Sequence, residues 1–202
     1  MTIPTRRRGR LILAAIAATI AVAAVSISAL AYARPGRPAA PAFPRLRPAA
    51  APASWRHLRL PNGMAVLSYP PGLTTVASDK DAVSVARLSP GGAFQLYLNA
   101  TPRQGSERLA NWAAFRLHLL RSDDAASAQQ VASAQGVTFR GGTGSCVVDR
   151  YVTRIGGHHF QEIACLVQGR TSASVVVAAA PAAQWATARP VLLRAVAAYF
   201  VR

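Results

Sequence analysis

Three regimes of hydropathy follow one another along the chain. Residues 11–33 are predominantly apolar, broken only by Thr19, Ser26 and Ser28, and hold no charged residue, no Pro and no Gly. Residues 34–54 mix Pro with Ala and Arg, with prolines at 35, 38, 41, 44, 48 and 52. From Trp55 onward, apolar positions recur every second residue or every third to fourth. These are the periods of half-buried strands and amphipathic helices.

Within 55–202 the period-two stretches come in pairs separated by turn residues. Residues 57–60 and 64–69 flank Pro61-Asn62-Gly63, and Asn-Gly between alternating apolar residues signals a hairpin. With that dipeptide at the tip, Leu58 and Leu60 share a face with Ala65, Leu67 and Tyr69. Pro70-Pro71-Gly72 ends the pair. Residues 82–88 and 94–100 form a second pair across Ser89-Pro90-Gly91-Gly92. In it Phe94, Leu96 and Leu98 point one way, and Gln95, Tyr97 and Asn99 the other. Three further strands are predicted over 145–154, 158–168 and 172–179, with turns at Ile155-Gly156-Gly157 and Gly169-Arg170.

Helical spacing occurs twice. Leu109, Trp112, Ala113, Leu117 and Leu120 form one stripe; with Ser106 as N-cap and Glu107 in the first turn, it predicts a helix over 106–121. Trp185, Ala188, Leu192, Ala195, Val196 and Tyr199 form the other after Pro181, in a C-terminal helix kinked or restarted at Pro190. Residues 123–135 are rich in Ala, Ser and Gln and show neither period. They predict a loop or short helix leading to a strand near 137–140.

The apolar segment 11–33 is long enough to cross a hydrocarbon core of about 30 Å as a helix. Arg6, Arg7, Arg8 and Arg10 precede it, which orients the N-terminus to the cytoplasm and sends the rest of the chain out. Two forms of this reading stand: a single-pass signal anchor, or a signal peptide cleaved after Ala31-Tyr32-Ala33 and a secreted product. The organisation is then a cytoplasmic basic segment 1–10, the apolar segment 11–33, a linker 34–54 that favours extended polyproline conformation, and an extracytoplasmic domain 55–202.

Charge adds to this picture. The chain of 202 residues carries a formal net charge of +16. Outside the cytoplasm, such a chain meets anionic lipid headgroups or wall polymers; nucleic acid is excluded on location. The two cysteines, Cys146 and Cys165, lie on neighbouring strands of one hairpin and, in an exported protein, read as a disulfide. A two-residue turn at Gly156-Gly157 sets Cys146 opposite Val167, too far to bridge. Shifting the register by two joins the cysteines but sets Asp149 opposite Glu162, a like-charge cost; a bulge at the two glycines reconciles the requirements.

Candidate chemistry is sparse. His158-His159 is the best metal candidate, but neighbours on a strand face opposite ways and no further ligand stands at metal spacing. Gly141-Gly142-Thr143-Gly144-Ser145 looks like a phosphate cradle, yet a strand follows it instead of a helix. No catalytic motif, cofactor fingerprint or metal set is present, so no cofactor, metal or catalytic residue is assigned. Trp112 and Trp185 are the candidates to line a ligand groove between sheet and helices.

The element order, together with Trp55, the Tyr69-Pro70-Pro71-Gly72 break and the closing Pro181, Trp185 and Tyr199-Phe200, resembles the PsbP-like sandwich. That fold is shared by the photosystem subunit PsbP and by actinobacterial envelope lipoproteins of the LpqN type. The resemblance covers 55–202. It implies an α+β fold, an antiparallel sheet packed by helices, and a binding or accessory role without catalysis. No lipid-acceptor Cys precedes Cys146, so attachment falls to residues 11–33. The expected function is a non-enzymatic extracytoplasmic module of a cell envelope, held at the membrane and facing an envelope protein partner. A carrier of a small apolar ligand and an envelope hydrolase are the alternatives.

Overall fold

A computed structural model describes residues 42–202. The basic segment 1–10, the anchor or signal segment 11–33 and residues 34–41 lie outside the described residues. Among those that are described, no helix is long and apolar enough to cross a membrane. The elements are β1 (Arg56–Arg59), β2 (Ala65–Tyr69), β3 (Thr74–Val76), β4 (Val83–Leu88), β5 (Phe94–Pro102), α1 (Trp112–Asp123), β6 (Ala125–Phe139), β7 (Gly142–Thr153), β8 (His159–Gly169), β9 (Ala173–Pro181), α2 (Trp185–Ala198) and β10 (Phe200–Val201).

Seven strands form one antiparallel sheet in the order β3-β4-β5-β9-β8-β7-β6. A second sheet holds β1-β2-β10. Alternation divides the side chains of the large sheet between two faces. On the first, Leu96, Leu98, Ile163, Cys165, Val176 and Ala178 join the main core with β2 and α2. The whole predicted stripe of α2, including Tyr199 just beyond it, is buried there. The helix runs through Pro190 without a break. On the second face, Val147, Ala164, Leu166, Val175 and Val177 pack under Trp112 of α1, and Leu117 and Leu120 cover Ala125 and Ala128.

The hairpin register holds: Leu58 stands opposite Leu67 and Arg59 opposite Val66. The turn is longer than a two-residue Asn-Gly turn, however. Leu60 N–H donates to Ala65 O, and Gly63 N–H donates to Leu60 O with Gly63 at φ 71°. The Gly-rich run before Cys146 serves close packing. A Cβ at Gly141 would fall on the Val201 carbonyl, and one at Gly144 would meet the Phe139 ring at 2.6 Å. That is how β10 docks beside the β6–β7 turn, with Val201 N–H donating to Arg140 O at 3.1 Å.

Several expectations are corrected. Residues 125–139 are neither loop nor helix but a 15-residue edge strand. Three register shifts break its pairing with β7, after Ala125, Gln130 and Ala134. Each bulge resets the alternation, so no continuous period of two is left in the sequence. The helix α1 begins at Trp112, not Ser106, with Asn111 as N-cap residue. Glu107 instead accepts the N–H groups of Gln104 and Gly105, at 2.8 Å each, and is buried. The packed region also starts before Trp55. Phe43, Leu46 and Ala51 lie against the main core, and Ala49 N–H donates to Ala197 O at 3.1 Å. Positions 43, 46 and 49 share the three-residue period of a polyproline helix, so one side of this proline-rich stretch can face α2. The second half of the linker is therefore a strap on the domain and not a free spacer.

Candidate functional site

The first face of the large sheet is covered along its length; the second is not. Helix α1 packs over β6, β7 and part of β8, and the sheet beyond it lies open. The result is a cleft of about 780 Å³ between α1 and parts of β5, β9, β8 and β7. Ala179 and Val177 of β9 form its floor, and Phe115, Arg116 and Leu119 of α1 form one wall.

Register explains what faces the cleft. One row across the sheet runs Tyr97, Ala179, Glu162, Asp149 on β5, β9, β8 and β7. Beside Glu162 and Asp149, two positions along the strands, Phe160 stands opposite Tyr151, their rings stacked at 5.7 Å. At the β5 end, Phe94 meets Tyr97 edge-on at 5.6 Å. Sequence alternation puts Phe94 on the same face as Leu96 and Leu98. The register shift between Arg87 and Leu88 makes Leu88 pair with Phe94 while Arg87 pairs with Leu96. That bulge leaves Gln95 as the extra residue and turns Phe94 to the side of Tyr97. Phe94 is 42% exposed and Ile155, in the β7–β8 loop, 89% exposed; both rim the cleft.

Polar groups in and under the cleft are few and tightly held. Arg116 donates from Nε to Glu162 Oε1 at 2.7 Å, and its terminal nitrogen lies 2.7 Å from the same oxygen. The Glu162 side chain is 1% exposed and that of Arg116 15%. Asp149 is fully buried next to them, and neither of its carboxyl oxygens finds a hydrogen-bond partner among the described residues. Burial, with the nearby Glu162 carboxylate adding to it and Arg116 only partly offsetting it, pushes the Asp149 carboxyl up to about 9. A neutral Asp149 leaves one cation and one anion in the buried group. For Arg116, burial acts to lower the pKa, but the charge of Glu162, with its hydrogen bond, outweighs it and holds the guanidinium above its ordinary value. Burial and Glu162 raise the Tyr151 phenol. Farther along, Ser84 and Tyr97 share a 3.0 Å hydrogen bond and Asn99 donates to Ser84 Oγ at 3.0 Å, a polar patch that satisfies itself.

The structure separates the two tryptophans. Trp112 is buried beside the cleft and donates from Nε1 to Ala164 O at 2.9 Å. Trp185 is buried in the main core on the opposite face. One groove cannot include both, because the sheet stands between them. Cys146 and Cys165 stand opposite each other with Cα atoms 4.1 Å apart and are joined by a disulfide. The same register puts Asp149 opposite Glu162. No bulge was needed: a four-residue loop, Arg154 to Gly157, replaces the two-residue turn, and Thr153 N–H donates to His158 O. His158 and His159 are exposed, and no group of three or more metal-binding side chains occurs among the described residues.

Sequence reasoning set Asp149 opposite Glu162 but gave neither a place in a site, and it missed Arg116, although a signal was present. Arg116 lies four residues from both Trp112 and Leu120, on the apolar stripe itself. Asp149 and Glu162 interrupt runs that are otherwise apolar on both alternating faces, Val147-Val148 and Ile163 to Val167.

No family model and no curated protein matches the chain. Solved structures do. The solution structure of cyanobacterial PsbP (CyanoP) from Synechocystis is similar with a TM-score of 0.55 at 12% identity, over 75% of this chain and 95% of that one. LpqN of Mycobacterium tuberculosis, described as involved in cell envelope biogenesis, is a looser match with a TM-score of 0.42 at 10% identity, over 73% of this chain and 90% of that one. The antiparallel sheet with α1 on one face and α2 with the small sheet on the other is thus a PsbP-like α+β fold.

Proposed function

We propose that the chain is an exported, non-enzymatic binding module of a cell envelope, held at the membrane by residues 11–33, and that it binds in the cleft beside α1. The observation that carries this is the incomplete cover of the second sheet face. A concavity of about 780 Å³ is of small-ligand size. It is rimmed by Phe94 and Ile155, two of the three large apolar side chains exposed among the described residues. Exposed apolar surface around a cavity favours an occupant. Of the carboxylates that line the cleft, Glu162 holds Arg116 and Glu107 holds two backbone N–H groups, which occupies these two in holding the fold. The disulfide suits an oxidising compartment, as does the apolar segment behind four arginines.

Two measurements test this function. A reporter fused after Arg202 should be active only outside the cytoplasm. Crosslinking in intact membranes should enrich an envelope component with the wild-type chain and lose it with Phe94→Ala. A reporter active only inside, or enrichment unchanged by that substitution, overturns the proposal.

A further inference from the structure

The charge of this chain is unevenly distributed, and the unevenness centres on the cleft. The whole sequence has seven acidic residues against twenty-three Lys and Arg. Five of the seven, Asp79, Glu107, Asp123, Asp124 and Glu162, line the cleft. Only two basic side chains do, Arg116 and Arg154. Neither is free to meet an anion. Arg116 is taken by Glu162 at 2.7 Å, and Arg154 donates to the backbone carbonyls of Arg121, Ser122 and Ala125 at the end of α1. The Arg116–Glu162 contact is the single ion pair among the described residues, so Asp79, Asp123 and Asp124 keep unneutralised charge at the rim. A sixth acid, Asp149, points onto the same sheet face beside Glu162, fully buried and without a hydrogen-bond partner. A strongly basic chain has thus gathered six of its seven acidic side chains in or beside one concavity.

The walls carry the complementary feature. Phe94 with Tyr97 stands on one side of the small Ala179, and Tyr151 with Phe160 on the other, beside Glu162. Aromatic faces attract cations. Low-dielectric walls lined by one sign of charge also concentrate ions of the opposite sign.

Resting on the binding-module function above, we infer that the cleft selects a small organic cation with an apolar body, an alkyl or aryl ammonium. Its charge sits over Ala179 between the two ring pairs, and its apolar part lies toward Phe115, Leu119 and Ile155.

Titration calorimetry of the full chain in uncharged maltoside micelles tests this, with benzyltrimethylammonium as the probe and phenylacetate as the anion of similar size. The cation should bind about tenfold more tightly than phenylacetate. Phe94→Ala, at an exposed rim position, should weaken the cation about fivefold, and the double change Asp123→Asn with Asp124→Asn about threefold. Circular dichroism of each variant should remain that of the wild type. Glycerophosphocholine carries an ammonium on an anionic phosphodiester and separates two sources of the cation. If it competes as well as the free cation, the ammonium of a lipid headgroup is the natural ligand; if it competes poorly, a free cation is. Either result keeps the ammonium. Preference for phenylacetate, or cation binding indifferent to all three substitutions, overturns the inference while leaving the cleft as a site. No binding of any probe together with a Phe94-dependent crosslink overturns the inference alone. Without that crosslink, the binding-module function falls as well.

Discussion

The two faces of the seven-stranded sheet are built from the same strands and have different contents. On the face toward α2 and the small sheet, every inward residue of β7, β8 and β9 from Cys146 to Val148, Ile163 to Val167 and Val176 to Ala180 is apolar or disulfide-bonded and joins the main core. On the face toward α1, the alternate residues of those strands include Asp149, Glu162 and Tyr151. A shift of one residue in the strand would exchange the two sets. The covered face supplies stability with few polar groups to satisfy: Ser174 accepts from the buried Tyr199 hydroxyl at 2.8 Å, and the buried Gln161 accepts from Arg150 Nε at 2.8 Å. The half-covered face holds buried charge, an orphaned carboxyl and exposed aromatic surface. A buried ion pair adds little stability over an apolar alternative, so the polar contents of this face are not explained by stability alone. The contrast teaches that one face is built wholly for packing, while the other combines packing under α1 with the features on which the proposed binding rests.

Substitutions on each face can break or sharpen that contrast. The largest effect should come from Arg116→Leu, which leaves Glu162 as an uncompensated buried charge. Loss of about 3–5 kcal/mol in chemical denaturation is expected. Glu162→Gln in the same chain should recover most of it, because the buried charge is then gone. If the single and double variants are equally destabilised, the pair is not the buried unit described above. Next in size is the covered face. Replacing both cysteines with Ala should cost about 3 kcal/mol and should leave probe binding in the cleft unchanged; a loss of binding would show that the two faces are coupled.

Asp149→Asn should have the smallest effect at any one low pH and acts through pH dependence. With its folded pKa raised from 3.8 to about 9, the folded chain keeps a proton that the unfolded chain releases. Stability from this group is therefore complete below about pH 4 and declines as pH rises toward 9, by at most about 1.4 kcal/mol per pH unit. The Asn variant should lose that slope, so its stability relative to wild type improves from pH 5 to pH 8. Parallel pH profiles for the two chains would mean that Asp149 is ionised in the folded state.

Much of this arrangement was legible in the sequence where local rules decide it. The Asn62-Gly63 dipeptide gave the correct register for Leu58 and Leu67 even though the turn is longer. The α2 stripe from Trp185 to Val196 is buried as its spacing required. The cysteine pairing and the Asp149–Glu162 confrontation came as one package from the shifted register that joins the cysteines, against the two-residue turn that the glycines suggest. What was not legible depends on bulges and on cover. Three bulges erase the alternation of β6, and another turns Phe94 from the face of Leu96 and Leu98 to the cleft. Trp112 and Trp185 each satisfy the pattern of a buried helical residue, and nothing local says that a sheet separates them. Arg116 and Glu162 are 46 residues apart, and only packing of α1 on β8 brings them together.

The account turns on the half-covered face being the one that binds. Backbone amide shift mapping of the full chain, titrated with benzyltrimethylammonium, tests this most directly. Perturbed amides should cluster on β5, β8, β9 and the wall of α1 around Phe115 and Leu119, with α2 and β2 unmoved. Shifts concentrated on α2 and the small sheet, or none at saturating probe, would contradict it.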